Sequence, residues 1–120
     1  MSFEQCLARG KIKEFSQGKA LVQKELQTAE KDLLDGKEGF ERKKYKWTTI
    51  QSYYVMFHSA RALLYNKNYR EKSHYCLIIA LRHLYVDTGK LSGYFIESLQ
   101  KGKALLEDAD YYDDWSQTGS

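Results

Sequence analysis

The chain has 120 residues, 42% hydrophobic and 29% charged, without proline and with two cysteines. That length suits one domain that can bury a sizeable core, and that composition excludes a disordered chain. No apolar run is long enough to span a bilayer, the first residues lack the apolar centre of a signal peptide, and Cys6 with Cys76 is too few for a disulfide framework or a zinc site. The expectation is a cytoplasmic protein, 1–120 as a single domain, with both cysteines acting as small apolar residues. The net charge is only +3, but residues 1–106 carry all 19 Lys and Arg against 11 acids, a net +8, while residues 107–120 carry five acids and no base. A basic body attracts nucleotides, nucleic acid or an acidic partner. The acidic end can dock on that body, shield it, or stay flexible.

Taken in chain order, Phe3–Gln17 reads as a helix interrupted at Gly10, with apolar positions at Phe3, Cys6, Leu7, Ile12 and Phe15. Ala20–Leu34 is a clearer amphipathic helix, through Leu21, Val22, Leu26, Ala29 and Leu33, with Gly36 as its stop and Gly36–Gly39 as a turn. Arg42, Lys43, Lys44 and Lys46 then alternate with Phe40, Tyr45 and Trp47 at the approach to the next helix. Basic residues between aromatics can hold phosphates and stack bases. A solvated helix face explains the same charges.

Trp47–Asn66 is the central helix, the longest segment without glycine that keeps apolar residues at helical spacing. It is apolar nearly all round, which predicts burial. Its polar exceptions Tyr54, His58, Arg61 and Tyr65 fall at i, i+4, i+7 and i+11, along one edge. Asn66–Asn68 closes it. Ser73 caps a helix with His74, Leu77, Ile78, Leu81 and Leu84 as its stripe, ending at Thr88–Gly89, and Ser92 caps a last helix weakened by Gly102. Nothing alternates with period two, so no strand is expected, and the fold class is all-α: an antiparallel up-and-down bundle of four to five helices.

The chain has no phosphate-cradling glycine loop, metalloprotease helix, nucleophile elbow or spaced Cys/His set. No cofactor and no metal are therefore expected. His58 could act as a general acid or base or as a phosphate ligand, although a lone histidine on a buried helix is commonly a hydrogen-bonded core residue. His74 follows a cap, where a helix N-terminus favours anions; packing is the plainer role. His83 lies opposite the apolar stripe and is expected to be solvated. Asp108, Asp110, Asp113 and Asp114 follow no ligand spacing, which favours a solvated or partner-facing segment over a metal site.

The blocks SYYVMFHSARALL (52–64), EKSH (71–74), DTGKL (87–91) and EDADYYDD (107–114), in that order, resemble the HEPN domain family over about residues 20–115. The resemblance implies a helical bundle, a homodimer, and often a minimal nucleotidyltransferase partner in a two-component or toxin–antitoxin system. Some members are metal-independent ribonucleases with an arginine followed, after four to six residues, by a histidine. Here Arg70 and His74 have three residues between them, Arg82 and His83 have none, and Leu106 and Gln51 stand where this branch often has arginine. The chain also ends soon after Trp115, where relatives commonly continue into a last helix. The expectation is therefore a non-enzymatic binding protein for a nucleotidyltransferase, a nucleotide or RNA, with Tyr54, His58, Arg61, Tyr65, Ser73 and His74 as ligand residues. The alternatives are a ribonuclease toxin and a purely structural helical module.

Overall fold

The computed structural model describes the backbone of residues 1–119 and the side chains of residues 1–108. It is an all-α bundle built on five α-helices: α1 (Phe3–Ala8), α2 (Gly18–Glu41), α3 (Tyr45–Tyr65), α4 (His74–Leu81) and α5 (Gly93–Gly119). Among the described residues no helix is long and apolar enough to cross a membrane.

The expected first helix is cut short. Ser2 caps α1 through a capping box with Gln5, but Gly10 takes φ +67° and turns the chain after Ala8. The following residues form a strand, β1 (Ile12–Glu14), paired antiparallel with β2 (Tyr69–Glu71) in the register Ile12↔Glu71, Lys13↔Arg70 and Glu14↔Tyr69. This two-stranded ribbon corrects the expectation of no strands. Each strand has only three residues, too few to display a period in the sequence.

The second correction lies in α2, which runs through Gly36 and Gly39 to Glu41, so 36–39 is helix and the turn is Arg42–Lys44, with Lys43 at φ +61°. Both glycines are buried because α3 crosses them closely. A Cβ at Gly36 would lie 3.3 Å from the Gln51 Cβ, and one at Gly39 3.2 Å from the Thr48 hydroxyl. These glycines serve helix packing and do not end a helix. The start of α2 has no side-chain cap of its own; Asn68, at the end of α3, accepts from the Lys19 N–H at 3.1 Å.

The expected burial of the central helix holds for only half of it. Tyr53, Ala60, Ala62 and Leu64 are buried, whereas Trp47 is 57% exposed. The core sits at the other end of the molecule, where Ile12, Leu64, Leu77, Leu81, Ile96 and Leu99 are almost fully enclosed. Ser73 caps α4 by accepting from the Cys76 N–H at 3.1 Å, and the chain then widens into a π turn, Arg82–Val86, with Asp87 N–H donating to the Arg82 carbonyl. Cys6 and Cys76 form a disulfide joining α1 to the first turn of α4. They are not the independent apolar residues expected from the sequence. Exposed His83 stacks on Phe3 at 4.6 Å.

Candidate functional site

An open pocket of about 470 Å³ forms where α3, the β2–α4 junction and α5 meet. Its floor is aromatic: Tyr53 and Phe57 stand one turn apart on α3, with Tyr54 beside them. Arg61 continues the row, its guanidinium 4.5 Å over the Phe57 ring. Glu71, Lys72, Ser73 and His74 form one wall, and Lys103 and Leu106 of α5 form the other.

His74 is the most informative residue. Its Nδ1 lies 3.3 Å from the Tyr53 hydroxyl, and its Nε2 is buried without a hydrogen-bond partner among the described residues. A buried polar atom without a partner costs free energy that a bound group would recover. Burial first, and the Lys103 ammonium second, hold the His74 pKa below its ordinary 6.5, with Glu107 opposing, so the ring is neutral at pH 7. Burial, aided by Tyr54 and Glu107, raises the Tyr53 pKa and keeps that phenol protonated. Tyr53 can therefore donate to Nδ1, which leaves, among the described residues, an N–H on Nε2 without an acceptor; in the other tautomer Nε2 offers a lone pair without a donor.

Arg61 is clamped. Its Nε and Nη2 donate to one Glu71 oxygen at 3.2 and 3.1 Å, and Nη1 lies 3.7 Å from Glu25. Burial works against the Arg61 charge, but the Glu71 bond and the two carboxylates outweigh it and raise the pKa. The charge is thus largely committed to protein partners. Lys72 at the wall and Lys103, 3.8 Å from Glu107 in an exposed helix pair, are the cations a ligand meets first.

His58, expected on the ligand edge, turns away from the pocket to α2. Its Nδ1 is 2.6 Å from Glu25 and its Nε2 3.8 Å from Asp32. Asp32, His58, Glu25, Arg61 and Glu71 form one chain of polar contacts that joins α2, α3 and β2. Tyr65 is also outside the pocket lining, tilted against Phe15 at 5.2 Å, with its pKa raised first by burial. Of the six expected ligand residues, Tyr54, Arg61, Ser73 and His74 line one pocket, and His58 and Tyr65 do not. Arg42, Lys43, Lys44 and Lys46 are all exposed at the α2–α3 turn, Arg42 pairing with Glu38 at 2.9 Å. Lys46 is roughly 12 Å along the helix axis from Tyr54.

Sequence reasoning missed Tyr53, Phe57, Glu71, Lys72 and Lys103. Tyr53, Phe57 and Arg61 do repeat at i, i+4 and i+8, a signal for a stacked row. Glu25 also left a trace, as an acid on the apolar stripe between Leu21 and Ala29. Lys103 has no local signal.

The HEPN domain family model matches residues 22–119. The chain belongs to the HEPN domain family. A protein of Methanocaldococcus jannaschii named "Putative toxin MJ0605" is 33% identical over 93 residues, which cover 78% of this chain and 69% of that protein. No solved structure matches. Set against the family's nuclease pattern, Arg70 and His74 do not share a pocket in this HEPN chain. Arg70 lies over the Phe15 ring at 5.4 Å, on the opposite face of β2 from its neighbour Glu71. Leu106, at a position where this branch often has arginine, lines the pocket as an apolar side chain.

Proposed function

We propose that this HEPN protein binds a phosphate-bearing ligand, a nucleotide or a segment of RNA, in the pocket between α3, α4 and α5, without cleaving it. The observation that carries the reading is the unpartnered Nε2 of neutral His74, in a pocket that Lys72, Lys103 and an aromatic floor also line. The lysines supply charge, Nε2–H supplies a directed donor, and Tyr54 supplies a ring face for a base. Metal-independent cleavage of the family's kind pairs a proton-transfer histidine with an unengaged arginine at one scissile bond. Arg61 is held by Glu71, and Arg70 is on the other face of its strand. The test is fluorescence anisotropy of a labelled single-stranded oligoribonucleotide, followed by gel analysis of the same sample. Saturable binding of intact RNA that weakens with salt is expected; its absence at low salt overturns the reading.

A second reading, a ribonuclease toxin of a toxin–antitoxin pair, draws support from the name of the M. jannaschii relative and from the unpartnered His74 nitrogen. Cleavage that survives metal chelation and is lost in His74→Ala would favour it. The binding reading includes a cytoplasmic location, a nucleotidyltransferase partner, and a homodimer formed across the exposed apolar hairpin of α2 and α3, where Leu33 and Phe40 border a groove of about 260 Å³. Leu33→Asp with Phe40→Asp should convert that dimer to a monomer by light scattering. A wild-type monomer at tens of micromolar, on the order of a weak dimer's Kd, would contradict it.

A further inference from the structure

We infer that the Cys6–Cys76 disulfide makes the N-terminal segment a redox-controlled strap on the wall of the candidate pocket. This rests on the pocket reading above and adds its regulation. The strap is residues 1–15, and it precedes the part of the chain matched by the family model, which begins at residue 22. Cys6 is on the strap and Cys76 is in the matched region, two residues after His74.

The strap supplies the hydrogen-bond partners of the segment that leads into the pocket wall. β1 pairs with β2, Lys72 N–H donates to the Lys11 carbonyl at 2.8 Å, and Phe15 N–H donates to the Asn68 carbonyl at 2.7 Å. Glu71 at the end of β2 clamps Arg61, and Ser73 and His74 follow at once. Strap order thus propagates to four successive pocket residues. Left to itself the strap has little to hold it. A six-residue helix and a three-residue strand are below the length at which either is stable alone. Its anchors are the disulfide, the enclosed side chain of Ile12, Phe15 against Tyr65 at 5.2 Å, and Phe3, which packs edge-on to Tyr69 at 5.5 Å and flat on His83 at 4.6 Å.

The two cysteines are 0% and 1% exposed, and the Met1 sulfur lies 3.7 and 3.8 Å from them. A reductant reaches them when the strap opens. A dithiol then reduces the bridge in two steps: its thiolate attacks one sulfur and expels the other as thiolate, and its second thiol displaces the first cysteine from the mixed disulfide. Two electrons and two protons pass to the protein, and the reductant leaves as a cyclic disulfide. With the covalent anchor gone, the β1–β2 ribbon opens more often, Glu71 releases Arg61, and the wall at Lys72–His74 loses its fixed geometry.

The test compares the full chain air-oxidised, the same chain reduced with dithiothreitol, and Cys6→Ser. Two readouts are taken: amide hydrogen exchange, and affinity for a labelled single-stranded oligoribonucleotide. Reduction should speed exchange at residues 11–15 and 69–74 while Ile96–Leu99 of α5 stays protected, and should weaken the oligoribonucleotide about tenfold. Cys6→Ser should match the reduced protein and ignore dithiothreitol; if it does not fold, the chemically reduced chain carries the comparison. Unchanged exchange at 69–74, two free thiols in the air-oxidised protein, or acceleration spread equally over α5 would each overturn the strap. If the oligoribonucleotide binds in neither state, the pocket reading fails and the ligand-control part falls with it, while the exchange data decide the strap separately.

Discussion

The two ends of the molecule treat apolar side chains in opposite ways. At one end α1, the ribbon, α4 and the start of α5 enclose Cys6, Ile12, Leu77, Leu81, Ile96 and Leu99 to within 1% of full burial. At the other, the outer half of the α2–α3 hairpin leaves Leu33, Leu34, Phe40 and Trp47 between 45% and 61% exposed. The difference is one of layers. A pair of helices buries one stripe each, along the seam where Gly36 and Gly39 let α3 approach, and among the described residues the remaining apolar side chains there face outward. Stability resides at the packed end, exposed apolar surface at the hairpin end, and the pocket lies between them on α3.

The largest effect should separate the two ends outright. Leu81→Ala, at a fully enclosed site, is expected to cost about 2–5 kcal/mol in urea unfolding. Leu34→Ala, 60% exposed, should stay within about 0.5 kcal/mol. Equal losses would remove the division.

Next in size is the junction between the ends. His58→Ala strips the hydrogen-bonded partner from Glu25 and leaves it with Asp32 and Arg61 in a mostly enclosed setting. A loss of about 1–3 kcal/mol is expected, with oligoribonucleotide affinity changed far less than stability. A large affinity loss at unchanged stability would return His58 to the ligand site. Gly18→Ala tests the root of the hairpin, because the new Cβ would fall 2.5 Å from the Tyr65 carbonyl oxygen, a backbone atom that cannot step aside. Destabilisation by about 1–3 kcal/mol is expected, and a neutral result would show that α2 and α3 part more easily there than drawn.

A smaller effect concerns pH. The folded pKa of His74 lies below its ordinary 6.5, so between the two values the unfolded chain binds more protons than the folded one. Stability therefore falls as pH drops through 6.5 and stops falling, for this group, below the folded pKa. His74→Asn should flatten that part of the stability profile. An unchanged slope would mean that another group titrates there.

How much of this was legible in the sequence follows the same division. The helical class, the Ser73 cap and the extent of the central helix come from periodicity and capping, which are local. The ribbon was not legible, because three-residue strands are made by their partner. Neither was the course of α2 through Gly36 and Gly39, since a glycine that ends a helix and one that admits a neighbouring helix look alike until the neighbour is in place. For the site, the α3 edge was visible as a spacing, but which of its residues face α2 and which face α4 depends on packing. Glu25 took His58, and Glu71 at the end of β2 took Arg61. The disulfide joins residues 70 apart, a pairing no local pattern carries.

Whether the ligand sits in the pocket is decided by a comparison of two groups of cations. Anisotropy titrations of a labelled oligoribonucleotide would compare the wild type with Lys72→Ala/Lys103→Ala and with Arg42→Ala/Lys43→Ala/Lys44→Ala. Losing two charge-assisted contacts in the pocket should weaken binding at least about tenfold, while the turn variant should change it little and mainly at low salt. Loss of binding in the turn variant, with the pocket variant unaffected, would contradict the account and move the ligand to the hairpin end.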